Sequence, residues 1–123
     1  RAGEGDDSMQ GGDQQFFSCL ASASASFDRG LPATLERLAA LGAQLDPLDP
    51  AATAQELQAM LHTMAGSART FGYRGLGQHA RALEQRLRVL PTFEAVAAKD
   101  WAAWVTELVQ FVEAARRDPR GLA

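Results

Sequence analysis

The sequence predicts an all-α fold, an antiparallel bundle of three or four helices, and three observations carry that expectation. Alanine is abundant while β-branched residues are few, a composition that favours helix over strand. Leucines and other apolar residues recur at three- and four-residue steps in successive segments. Proline and glycine fall between those segments, and no strand-like alternation of useful length appears. Amphipathic helices with short connections bury their stripes against one another as an antiparallel bundle.

Residues 1–15 are rich in glycine and in acidic or amide side chains, with almost nothing to bury, and are read as a flexible linker or tail. Residues 16–29 alternate Ser and Ala, yet Phe16, Phe17, Leu20 and Phe27 have the means to pack. Part of this stretch is expected to be helical, as an extra N-terminal segment of the bundle. From Gly30 the pattern sharpens: Leu31, Leu35, Leu38, Leu41 and Leu45 form one stripe, with Pro32 suited to a first helical turn or a bend near the start. Asp46-Pro47-Leu48-Asp49-Pro50 breaks this helix, and Asp49 before Pro50 reads as an N-cap with proline at the first helical position.

The next helix runs from about Pro50 to about Thr70, with Leu57, Leu61, Met64, Ala68 and Phe71 as its buried stripe. Gly72 ends it, and Gly75 is assigned to the following turn. The third helix carries Leu76, Ala80, Leu83, Leu87 and Leu90 and stops at Pro91, after which Thr92 is a candidate cap. The last places Phe93, Ala97, Trp101, Trp104, Leu108, Phe111 and Ala115 at helical spacing, with a break or restart near Lys99-Asp100. Arg116 and Arg117 at its end suit the helix dipole. The bundle is thus expected over residues 16–118, followed by a C-terminal tail over 119–123.

The 123 residues suit a single domain, and a hydrophobic fraction of 46% supports one modest core. The formal net charge of -3 gives no electrostatic reason to expect a nucleic-acid partner. No apolar run approaches the length of a membrane span, so no membrane contact by this domain is expected. The single cysteine, Cys19, forms no internal disulfide, and no spacing resembles a zinc site, which points to a reducing, cytoplasmic setting. The chain opens on Arg1 rather than Met, and a piece of a longer protein is expected.

Two histidines are present, and a histidine on a helix is ordinarily a surface or half-buried residue without chemistry. His62 stands apart through its neighbours. At ~100° per residue the core stripe points elsewhere, and His62 shares a face with Gln55, Gln58, Ala65, Gly66 and Arg69. Gly66, one turn on, costs the helix roughly 1 kcal/mol relative to Ala and so calls for a reason. One reason is the close approach of a partner to the imidazole; the other is close packing of a neighbouring helix. His79, beside Leu76 and Leu83, reads as structural, Trp101 and Trp104 read as core, and Cys19 has no paired base to activate it.

The run Leu61-His62-Thr63-Met64-Ala65-Gly66-Ser67-Ala68-Arg69-Thr70-Phe71-Gly72, followed by Leu76 and Ala80-Arg81-Ala82-Leu83-Glu84, resembles histidine-phosphotransfer (HPt) domains. The resemblance rests on a histidine, a glycine four residues later, a second glycine at the helix end, and Ala-Leu-Glu on the next helix. It implies an antiparallel four-helix bundle, HPt-like, serving as a phosphocarrier in a multistep two-component phosphorelay. His62 would take a phosphoryl group from a receiver-domain aspartate, or from a sensor histidine kinase, and pass it on. Such a domain is not a stand-alone enzyme, although its parent protein can be a larger sensor kinase. The chemistry suits imidazole, a good nucleophile when neutral. Phosphoryl transfer asks mainly for positioning and charge stabilisation, and the receiver domain is expected to bring Mg²⁺, with no cofactor intrinsic to this chain.

The resemblance further implies that Glu84 accepts a hydrogen bond from Nδ1 of His62 and leaves Nε2 free; without it, Glu84 reads as an ordinary solvated charge. Gln58, Ala65, Gly66 and Arg69 are the expected partner contacts. The sequence departs from the family where a lysine often follows the histidine by three residues: Ala65 stands there. Arg69, two turns on, and Arg81, across the helix pair, are the candidates to stabilise phosphoryl charge in its place. The alternative is a transfer-incompetent adaptor or dimerisation module, which Ala65 favours and the set His62, Gly66, Glu84 opposes.

Overall fold

A computed structural model describes residues 2–92 and 96–122, with side chains described from residue 14 onward. Among the described residues there are four α-helices and no strand: α1 Ala2–Gln44, α2 Ala51–Thr70, α3 Arg74–Val89 and α4 Ala98–Arg117. A 3-10 turn over Leu90–Thr92 follows α3. The fold is the all-α bundle that the periodicity predicts, with the four helices that the resemblance implies. None of these helices is long and apolar enough to cross a membrane.

The chain divides within α1 into two units, Arg1–Leu31 and Pro32–Ala123. In the first, helix runs from Ala2 through the segment expected to be a linker and on through 16–29. The linker reading rested on a lack of residues to bury, which bears on packing; helix hydrogen bonds are local and need no burial. Phe16, Phe17 and Leu20 are exposed here. Pro32, expected in a first helical turn or at a bend, lies inside α1, where proline removes one backbone hydrogen bond, and the boundary between the units falls there.

In the second unit Leu35, Leu38 and Leu41 of α1, Leu57, Leu61, Met64 and Ala68 of α2, Leu76, Ala80, Leu83 and Leu87 of α3, and Trp101, Trp104, Leu108 and Phe111 of α4 are buried. These are the stripes that the periodicity marks. Leu45, Phe71 and Leu90, at stripe ends, are only half-buried, each standing one residue past the end of its own α-helix. Phe93 lies outside the described residues. At Gly42 of α1 a Cβ would stand 2.9 Å from Leu108 Cδ2, so this glycine seats α1 against α4. The Trp104 indole N–H donates to the Leu83 carbonyl at 3.0 Å and fixes the approach of α4 to α3.

Several boundaries differ from expectation by a residue or two. Pro50, not Asp49, holds the N-cap position of α2. The turn before it is closed by Asp46, whose Oδ1 accepts from the Leu48 N–H at 2.9 Å. Gly75 lies inside α3 rather than in the turn, where a Cβ would run into the Leu122 carbonyl. Thr92 does not cap α4: its hydroxyl donates back to the Val89 carbonyl at 2.6 Å, and Asp100 instead accepts from the Ala97 N–H at 3.2 Å. Residues near the C-terminus fold back: the Arg120 guanidinium sits 4.2 Å above the Tyr73 ring.

The α2–α3 connection sets the site. Gly72 adopts φ 84°, the left-handed conformation glycine takes freely, and the Tyr73 N–H returns to the Ala68 carbonyl at 2.8 Å. This closes α2 and sends α3 back along it after two intervening residues beyond the half-buried Phe71.

Candidate functional site

Gly77 governs how close α3 comes to α2. A Cβ there would stand 2.9 Å from Arg69 Cγ and 3.2 Å from the Ala65 carbonyl oxygen, both on α2. From this contact α2 runs back seven residues from Arg69 to His62, while antiparallel α3 runs forward seven residues from Gly77 to Glu84. Two helical turns on each side return to the same face, so His62 and Glu84 meet.

They meet as a hydrogen-bonded pair. His62 Nδ1 lies 3.0 Å from Glu84 Oε1. The side chains differ sharply in exposure, 74% for His62 and 6% for Glu84. A carboxylate only accepts, so Nδ1 carries the proton toward Glu84 and Nε2 keeps its lone pair. The ring is thus exposed to solvent and held from below by a buried acid. Arg88, one turn beyond Glu84, brings Nη1 to 3.8 Å from Oε1, an ion-pair contact rather than a hydrogen bond. No buried side-chain polar atom among the described residues lacks a partner.

A surface hollow of about 560 Å³ surrounds the imidazole, lined by Gln55, Gln58, Ala59, His62, Thr63, Glu84 and Arg88. Arg69 and Arg81, expected to stabilise charge at His62, do not line it. They line a separate hollow with Gly72, Arg74, Gly77 and Gln78. Arg88 is the cation in the His62 hollow, and its signal in the sequence was the four-residue step from Glu84. A larger hollow between α3 and α4, about 870 Å³, is lined by Val89, Leu90 and Trp104 among others and contains no histidine.

The expected partner contacts also separate. Gln58 lines the His62 hollow. Gly66 is exposed, and a Cβ built there meets nothing within 4 Å. The helix-packing explanation for Gly66 therefore fails, since Gly77 provides the close helix approach. Ala65, placed by the helical wheel on the exposed face, is buried at 6%. Its backbone abuts Gly77, so α3 covers it, and it is not a surface contact.

His79 is exposed, with its ring 6.3 Å from that of Phe111 at the edge of the core, as the periodicity suggests. Cys19 is a free, exposed thiol. Among the described residues no group of three or more His, Cys, Asp or Glu side chains is placed to hold a metal ion.

The family model described as "Hpt domain" matches residues 27–118, more than half of the chain. No curated protein and no solved structure matches it.

Proposed function

We propose, on the premise that this chain belongs to the Hpt domain family and is a histidine-phosphotransfer domain, that His62 is the residue that carries the phosphoryl group. The observation that carries this reading is the pairing of an exposed imidazole with a buried carboxylate, Nδ1 to Oε1 at 3.0 Å. The lone pair of Nε2 attacks the phosphorus of an aspartyl phosphate on a receiver domain. The P–N bond forms as the P–O bond breaks, and the aspartate leaves as a carboxylate. The positive charge that develops on the ring lies against Glu84, which keeps the Nδ1 proton and the ring orientation fixed. Return of the phosphoryl group to a second receiver reverses the same steps.

The usual lysine is absent, and Arg88 offers the compensating charge. It lines the same hollow, and its 3.8 Å contact with Glu84 is loose enough for the guanidinium to turn toward a phosphoryl oxygen. Mg²⁺ belongs to the receiver partner in this reading and supplies further charge there. The open space at Gly66 admits the partner's active site. Partners are receiver domains, with a sensor kinase as a further donor, and the setting is the cytoplasm.

The test is phosphoryl transfer from a panel of phosphorylated receiver domains to the wild type and to His62→Gln. Acid-labile, base-stable label on the wild type alone is expected. A folded wild type that takes no label from any receiver would sink the carrier reading in favour of an adaptor.

A further inference from the structure

We propose that the hollow at the α2–α3 corner, lined by Arg69, Arg74 and Arg81, is an electrostatic docking site for a carboxylate-rich surface of the protein that exchanges phosphoryl groups with His62. This rests on the carrier reading of His62 and adds to it the chemistry by which a partner is oriented.

The first support is that these cations lie together with no acid beside them among the described residues. Elsewhere in the bundle Arg37 pairs with Glu56, Arg86 with Glu107 and Arg88 with Glu84. Among the described residues Arg69, Arg74 and Arg81 have no such acid; Arg116 and Arg117 have none either, but Arg69, Arg74 and Arg81 share one hollow, and no acidic residue lines it, although the whole chain carries net charge -3. Three like charges gathered on an acidic protein repel one another and destabilise the fold unless something outside it answers them.

Helix electrostatics do not explain the cluster. Arg69 lies in the last turn of α2, where a cation suits the dipole. Arg74 is the first residue of α3, whose first turn contains no acid. A cation at a helix N-terminus opposes the dipole, so Arg74 is placed against the interest of its own helix. Arg81 is mid-helix and gains nothing from either end.

Position selects a protein surface as the occupant. Arg69 stands two turns from His62 on the same face of α2, roughly 10 Å along the axis. Arg81 stands one turn from Glu84 on α3. The exposed Gly66 leaves the space beside His62 clear on the side of α2 nearer Arg69. A body seated on His62 therefore reaches the arginines. Arg69 is also braced: its stem lies over Gly77, where a Cβ would come within 2.9 Å of Cγ. Charge at an interface rim acts mainly on encounter and register, so this site governs KM and salt dependence rather than the chemical step.

The experiment compares wild type with Arg69→Gln/Arg74→Gln/Arg81→Gln and with the corresponding triple lysine variant. Circular dichroism and urea unfolding check each fold. Transfer from a phosphorylated receiver is followed over ionic strength, and His62 is labelled separately by phosphoramidate, a small donor that needs no docking. The glutamine variant is expected to raise the receiver KM about tenfold at low salt, lose most of the salt dependence, and hold kcat within about twofold. The lysine variant restores KM, and phosphoramidate labels all three proteins. An unchanged KM and salt slope overturns the proposal, as does a fall in kcat alone, which would make these arginines charge stabilisers. Saturable binding of pyrophosphate to wild type with KM unchanged in the variant overturns it in favour of a small-oxyanion site. If the glutamine triple variant does not fold, Arg74→Gln alone decides, with the same directions at smaller size. Absence of receiver label on wild type defeats the carrier reading itself, and is distinct from equal labelling of wild type and variant, which defeats docking alone.

Discussion

The two hollows on the α2–α3 face are made by the same pair of helices, yet they answer charge in opposite ways. Around His62, a buried acid accepts a hydrogen bond from the imidazole Nδ1–H and an arginine approaches that acid, so polarity is satisfied within the chain. Around Arg69, Arg74 and Arg81 no acid among the described residues replies. The contrast teaches that charge satisfied internally positions an atom for chemistry, whereas charge left open at the surface recruits something from outside. Two glycines divide along the same line. Gly77 is buried and makes the helices meet; Gly66 is open and makes room.

The comparison is broken most directly at Gly66. Gly66→Gln is expected to lower transfer from receivers at least ~100-fold by crowding the imidazole, while the helix gains about 1 kcal/mol. Single-turnover labelling and urea unfolding of one preparation read both. Full transfer by the folded variant would show that no partner approaches there.

Glu84 comes next. Glu84→Leu is expected to slow receiver transfer on the order of 10–100-fold, because the ring loses its fixed tautomer and orientation. Glu84→Gln keeps an oxygen that accepts from the Nδ1 proton and should recover much of the rate. Nuclear magnetic resonance of the His62 ring nitrogens distinguishes this from simple unfolding, and equal rates for the two variants would remove Glu84 from the site's function.

Arg88→Ala should reduce kcat only several-fold, since it removes one exposed charge whose effect solvent screens. Recovery by Arg88→Lys, in a saturating-receiver assay, is the expected sign of a charge effect. A change in KM alone would place Arg88 with the docking arginines instead.

The smallest effect is structural. Gly77→Ala forces the helices apart against the Ala65 carbonyl, at 3.2 Å from the added carbon. The strain, partly offset by helix propensity, should cost about 1 kcal/mol in urea unfolding. A stabilised Gly77→Ala would mean that α2 and α3 yield freely and that the register of His62 on Glu84 is not set there.

Much of this molecule is determined by the sequence itself. The leucine stripes specify which faces are buried, because a period near 3.6 leaves an amphipathic segment only one way to hide its apolar side. Gly72 specifies where α2 ends, because its neighbours cannot adopt its left-handed backbone as readily. His62 and Gly66 are legible as a pair four residues apart on one helix. Tertiary structure alone decided the rest. Ala65 lies on the His62 side of the helical wheel, yet α3 buries it, since a wheel shows direction and not how wide a face the neighbour covers. Arg69 and Arg88 were equally basic in sequence; the antiparallel register carried one to a separate hollow and the other to the histidine. Spacing along a helix is a local quantity, but which residue it meets on the next helix depends on how closely the two pack, and here that distance is set by the missing side chain of Gly77.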